Sequence, residues 1–170
     1  MNLIAYQYFE GVDLMAIEGV SEGLIMTLIA EIGLDGIRKF PTAKQFTAWL
    51  RLAPNNKISG GKVLSNHIPK GSSRLKIAFR NTANAIGNLK EGWLADFFKR
   101  LNYKKGRATA VSALARKLAV IIWNMLVKGQ CYQPPSLYLF LDEKRKIAAA
   151  KRIQKQITKF GLTDKDIQFK

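Results

Sequence analysis

The chain has one cysteine and one histidine in 170 residues, and only twelve acids against 28 Lys and Arg. A single cysteine, Cys131, cannot close an internal disulfide and suits a reducing compartment. With His67 as the one histidine, a Cys/His zinc site within the chain is excluded as well. No uninterrupted apolar run approaches the ~20 residues of a spanning helix. The longest candidate, 113–127, is broken by Arg116, Lys117 and Asn124. The opening MNLIAYQYFEGVDL carries neither a basic leader nor a small-residue cleavage site. The expectation is a soluble, cytoplasmic protein with no membrane partner. Internal repeats and low-complexity tracts are missing too.

What the chain does have is apolar substance: 48% of residues are hydrophobic and 10% aromatic, enough for a core and too much for intrinsic disorder. Its length suits one domain, or one domain with an appendage.

Charge is sharply segregated. Residues 1–37 hold six acids and no Lys or Arg, whereas residues 38–128 hold nineteen Lys and Arg against only Glu91 and Asp96. A folded segment so short of acids cannot neutralise itself by internal ion pairs, and the usual external polyanion is a nucleic acid. A merely solvated basic face would normally intersperse acids. A membrane surface is the weaker alternative, because the bases lie among apolar helical positions and not along one amphipathic helix.

Periodicity predicts a mainly α fold. Leu24, Ile25, Leu28, Ile29 and Ile32 share one helical face. Thr42 and Gln45 form a capping box ahead of a stripe of Phe46, Trp49 and Leu50. After Pro54 the stretch NNKISGGKVLSNHIPKG predicts a short loop or β-hairpin, within residues 54–70 and around Ser59-Gly60-Gly61. Helical spacing resumes with Leu75, Phe79, Thr82, Ile86 and Leu89, and again with Trp93, Leu94, Phe97, Phe98 and Leu101. Tyr103 to Arg107 reads as a basic turn, and Val111, Leu114, Leu118, Ile121, Ile122 and Met125 as the longest helix, ended by Pro134-Pro135. From Asp142 to Phe160 follows a Lys-rich helix with sparse apolar positions, peripheral or packed on a partner. The domain boundaries expected are 12–130 for the core unit and 131–170 for a polar helical tail.

Three segments invite a chemical reading. Ile17 to Leu24, at the start of a stretch of about residues 14–33, has the glycine spacing of a helix-hairpin-helix, whose turn can hold a phosphate. Glu18 and Glu22 flank it and would repel one, so a glycine turn that simply packs two helices is the equal alternative. Ser59, beside two glycines and between Lys57 and Lys62, can serve as a nucleophile toward a phosphodiester, the cations stabilising the transition state. Ser-Gly-Gly is also ordinary turn chemistry. Lys70 precedes a Ser-capped helix bearing Arg74, Lys76 and Arg80, a phosphate-contact cluster. Lys104, Lys105 and Arg107 extend the belt, and Arg116-Lys117 either contact phosphate or snorkel from a core helix. His67 is a candidate base, or else a hydrogen-bonding or stacking residue. Clustered carboxylates for catalytic metals are lacking, so neither metal nor cofactor is expected in this chain.

The succession IEGVSEGLIMTLIAEIG, IRKFPTAKQFTAWLRLAP, KISGGKV, IPKGSSRLKIAF and RATAVSALARKLAVIIWNML, over about residues 12–130, resembles the C-terminal domain of IS110/IS116/IS902-family insertion-sequence transposases. The resemblance implies an RNA-guided DNA recombinase in which an N-terminal RuvC-like domain supplies acidic residues, and Mg2+ with them. The C-terminal domain supplies a serine, matching Ser59 here, that becomes covalently joined to DNA. Implied partners are DNA, a structured bridge RNA, and either further copies of the chain or a chain carrying the RuvC-like domain. That acidic domain is not in this sequence, and Asn55-Asn56 stand where the family usually has a basic or polar residue. The expectation is therefore a truncated or interrupted transposase unable to recombine alone. The alternative is a non-catalytic nucleic-acid-binding remnant. A ribosome-like structural RNA binder would explain the charge, but not five ordered markers.

Overall fold

The computed structural model describes residues 3–71, 73–134 and 137–161. The chain divides into two compact units, residues 1–132 and 133–170. As the periodicity predicts, the described structure is mainly helical with one small antiparallel sheet.

Unit 1 is organised around α7 (Arg107–Lys128). Helices α5 (Arg74–Gly87) and α6 (Trp93–Lys105) lie along it, with α3 (Gly33–Arg38) and α4 (Ala43–Trp49) packed on it as well. Leu114, Leu118 and Ile122 from α7 meet a core that includes Phe79, Phe98 and Phe46, all fully buried. Trp123 of α7 donates its indole N–H to the Phe40 carbonyl at 3.1 Å, tying the helix to the turn between α3 and α4. By length and composition α7 could span a membrane, at a mean hydropathy of 1.6, which corrects the expectation that no segment comes close. Its apolar side chains are those of a core helix, enclosed by four neighbours.

The N-terminal part holds α1 (Leu3–Tyr8), a 3-10 turn (Leu14–Ala16) capped by Asp13, and α2 (Glu22–Glu31), which packs on α5. Where a helix-hairpin-helix would have its first helix, this chain has the single 3-10 turn. Gly19, in the hairpin, sits against Ile86 and Leu89, so the turn packs directly on the end of α5. The Glu18 carboxylate lies at Gly92, the start of α6, where the helix dipole favours an anion.

Thr42 caps α4 as expected, its hydroxyl accepting from Gln45 N–H at 3.3 Å. The buried stripe, however, is Phe46, Thr47 and Leu50, while Trp49 is 48% exposed. The basic segment 103–105 is the last turn of α6 and not a loop; Gly106 alone separates α6 from α7. Helix α7 ends at Lys128 on a left-handed Gly129, ahead of Pro134, and Pro135 lies outside the described residues. In unit 2, α8 runs Leu137–Phe160, starting before the expected Asp142 and exceeding α7 in length; Ile147, Ile153 and Phe160 are exposed on it.

Candidate nucleic-acid interface around the Ser59 hairpin

Between α4 and α5 the chain leaves the helical body as an antiparallel hairpin, β1 (Asn55–Ser59) and β2 (Lys62–His67). Gly60 and Gly61, at φ 55° and 74°, form the two-residue connection, and positive φ at both positions gives the twist a tight hairpin needs. Every residue of β1 is exposed.

The register decides what shares a face. Asn55 pairs with His67, Lys57 with Ser65 and Ser59 with Lys62, and directly opposed residues project to the same side. Ser59, Lys57, Lys62, Ser65 and His67 therefore form one polar, cationic face. Ile58, paired with Val63, belongs to the other. The register shifts between Lys57 and Ile58, leaving Leu64 as an extra residue in β2, a β-bulge. Ile58 and Leu64 are 62% and 69% exposed. A hollow of about 380 Å³ lies on the polar face, lined by Lys57, Ser65, His67 and Lys70 among others. Among the described residues no hydrogen bond reaches the Ser59 hydroxyl.

The root of the hairpin is fixed by two cations with structural work. Arg51, itself in the left-handed region at φ 53°, donates from Nη1 to the Lys70 carbonyl at 2.8 Å. Gly71, at φ 102°, lies so close to that guanidinium that any side chain there would collide with it. Lys76 is only 6% exposed; its ammonium donates to the Gly71 carbonyl at 2.8 Å and the Pro69 carbonyl at 3.4 Å. Ser73 caps α5, accepting from Lys76 N–H at 3.2 Å. Burial lowers the Lys76 ammonium pKa, and Arg80 and Arg51 nearby lower it further.

The remaining predicted cations divide by position. Lys57, Lys62, Lys70, Arg74 and Arg80 are exposed and have no ion-pair partner among the described residues. Lys104 and Lys105 are exposed at the end of α6. Arg107 is held by Asn84 at 2.7 and 3.0 Å and Asn88 at 2.8 Å, with its guanidinium over the Phe98 ring. Lys117 lies over Trp93 and Phe97, 4.9 and 4.8 Å from the ring centroids. Its pKa is lowered first by burial and then by Arg100. Arg116 lines a larger cleft of about 850 Å³ between the hairpin root and the N-terminal half of α7, together with Lys105 and His67.

The cations thus fall into two regions, one around the hairpin root and one along α6 and α7, and the charges that depress Lys76 and Lys117 are all cationic. Arg38, at the start of the basic segment, pairs with Glu10 of the acidic N-terminal part, its Nη1 3.0 Å from Glu10 Oε1. Reading by residue type picked out Lys57, Lys62 and Lys70 but passed over Arg51 and Ser65. Strand alternation points to Ser65 once the turn is placed, whereas nothing local marks Arg51. The residues present do not fit a magnesium site: among the described residues no three His, Cys, Asp or Glu side chains converge.

Comparison with known proteins places this arrangement. Residues 13–99 match the model of the family described as Transposase IS116/IS110/IS902. A Pseudomonas aeruginosa protein named "Probable family 20 transposase" is 31% identical over 71% of this chain and 36% of its own length. An IS110 insertion-element protein of Streptomyces coelicolor is 32% identical over 71% of this chain and 29% of its own length. The transposase of insertion sequence IS1111A from Coxiella burnetii is 29% identical over 69% of this chain and 33% of its own length. The chain thus spans about a third of the length of these curated relatives. The matched region holds the glycine turn, the Ser59 hairpin and the α5 cations, and this chain belongs to the IS116/IS110/IS902 transposase family.

Proposed function

We propose that this chain is the DNA-binding, serine-bearing part of an IS110-type transposase. The observation that carries the reading is the hairpin register, which sets Ser59 on one exposed face with Lys57 and Lys62 and with no acid beside it. A phosphate drawn to these lysines would lie within reach of the Ser59 hydroxyl. Attack forms an Oγ–P bond and breaks one bridging P–O bond; the departing sugar oxygen takes up a proton, and the serine proton leaves to a base. Carboxylates and Mg2+ would come from a RuvC-like domain on another part of the protein or another chain. Resolving DNA strands and reading a structured RNA would need several copies of the chain. The acting compartment would be the cytoplasm, on the nucleoid.

The test is a covalent DNA adduct formed with a supplied RuvC-like partner and trapped on a denaturing gel. Ser59→Ala should abolish the adduct and leave DNA affinity unchanged. An adduct that survives the substitution overturns the role of Ser59.

A second reading, binding without cleavage, is favoured by one specific observation: no general base stands against Ser59 among the described residues. Under it, no partner domain yields an adduct although the chain still binds DNA. Both readings require binding through phosphates, so affinity should fall steeply with salt.

A further inference from the structure

The cleft between the hairpin root and α7 is not needed by either reading, and it is larger than the hollow on the Ser59 face. On α7, Ala108, Thr109, Ser112 and Ala113 turn the same face toward it, and these short side chains leave about 850 Å³ open opposite Asn56 and His67. That volume is in the range of small-ligand sites. No acid lines it, whereas Lys105 and Arg116 both do. Its lining therefore combines an apolar, small-residue wall, hydrogen-bonding groups and two cations. Neither the Asn56 amide nor the Thr109 hydroxyl has a partner among the described residues. Ser112 is the exception, its hydroxyl donating back to the Ala108 carbonyl at 3.0 Å.

We propose that this cleft receives one unpaired, unstacked nucleotide of a bound nucleic acid. The base would lie against the Ala108–Ala113 wall with its edge at Asn56 and Thr109, and its phosphate between Lys105 and Arg116. A nucleotide still paired and stacked in a duplex offers the cleft neither a free face nor a free edge, so the site discriminates by strand state. His67 lines both this cleft and the hollow on the Ser59 face. Asn56 alternates to the Ile58 side of the hairpin, so a strand seated in the cleft would have to round His67 to reach the Ser59 face. The inference rests on the nucleic-acid-binding reading above.

Fluorescence anisotropy on the full chain tests it with a blunt DNA duplex, the same duplex carrying one unpaired nucleotide, and the RNA counterpart of the bulged duplex. The unmodified protein should favour a bulged duplex over the blunt one by roughly five- to tenfold, the size expected from one or two net hydrogen bonds to the base edge. Ser112→Phe, and independently Thr109→Trp, should fill the cleft, remove that preference and leave blunt-duplex affinity unchanged. Preference for the DNA bulge, the RNA bulge or both identifies the strand that supplies the nucleotide, and each supports the site. Equal binding of blunt and bulged duplexes by the unmodified protein overturns it, a measurement that needs no variant to fold. A preference that persists in folded plug variants also overturns it. Absence of binding to every probe would overturn the nucleic-acid reading itself, an outcome distinct from the loss of preference alone.

Discussion

Lys76 and Arg80 look alike in the sequence, but their surroundings give them opposite consequences when removed. Replacing Lys76 by Met keeps an unbranched stem of similar length and deletes the ammonium that bridges the Pro69 and Gly71 carbonyls. A hydrogen bond involving a charged group contributes about 1.5–3 kcal/mol. One of the two here is long, and the freed carbonyls can recruit water at the loop edge. Relief of the buried charge, whose pKa is already depressed, offsets part of the loss. The net cost should be about 1–2 kcal/mol. With a urea m-value of about 2 kcal/mol/M, that shifts the unfolding midpoint by roughly 0.5–1 M. Arg80, exposed and without an ion-pair partner among the described residues, should behave the other way. Arg80→Gln should leave the midpoint in place and lower the slope of log affinity against log salt by about 0.9, the value for one lost phosphate contact on B-DNA. Lys76→Met should leave that slope unchanged. The slope is the readout because loosening the hairpin root can lower affinity without removing a phosphate contact. Lys76→Met with an unmoved midpoint and a slope reduced by about 0.9 would refute the structural assignment of Lys76.

Further outcomes follow from the same geometry. Gly71→Ala must place a side chain against Arg51 at φ 102° and should destabilise by about 1–3 kcal/mol in urea unfolding, whereas Gly60→Asn, at φ 55° with open space around it, should change stability by less than about 0.5 kcal/mol. Phe79→Ala, emptying a fully buried site between α5 and α7, should cost about 3–5 kcal/mol by the same assay. Arg38 holds the Glu10 carboxyl below its ordinary value, so Arg38→Ala should raise the Glu10 pKa, as read by NMR titration. The small stability this pair adds is present above the ordinary carboxyl pKa and fades as pH falls through the depressed value. Burial raises the Tyr132 pKa, while the Trp93 indole N–H, donating to its hydroxyl at 2.6 Å, pulls it back. Trp93→Phe should therefore move the Tyr132 transition to higher pH in an ultraviolet titration, and an unchanged transition would remove that hydrogen bond from the account.

Much of the scaffold was legible because its signals are local. Thr42 and Gln45 announce a capped helix, Ser59-Gly60-Gly61 announces a two-residue turn, and the i, i+4 rhythm of Leu114, Leu118 and Ile122 announces a core helix. Trp49 misled because a four-residue rhythm counted from Phe46 admits either Thr47 or Trp49 beside Leu50. Tertiary packing chose Thr47, whose hydroxyl is satisfied by the Lys44 carbonyl at 3.0 Å, and left Trp49 tilted against Phe40 at the surface. Residues 103–105 read as a turn because they are polar, yet polar residues close the exposed last turn of α6 perfectly well. The cations were the least legible part. Whether a lysine meets solvent, as Lys57 does, or two loop carbonyls, as Lys76 does, depends on a loop path that residue type does not encode. Lys117 is similar, since its aromatic neighbours Trp93 and Phe97 come from α6.

The alternation of the hairpin carries a consequence for how this protein can change. Side chains in a strand swap sides at every step, so Ser59, with Lys62 held opposite it by the turn, shares a face with Lys57 only while the number of residues between them stays even or odd as it is now. Deleting or inserting one residue between Lys57 and Ser59 would turn Ser59 and its partner Lys62 together to the side opposite Lys57, with the two-residue turn intact. A change of two would lengthen or shorten the arm and restore the hydroxyl to the cationic side. The bulge at Leu64 is one such odd step already taken, on the opposite strand. For this hairpin, length is a parity rule, and a lineage that alters it by single residues parts Ser59 from Lys57 before it loses the fold.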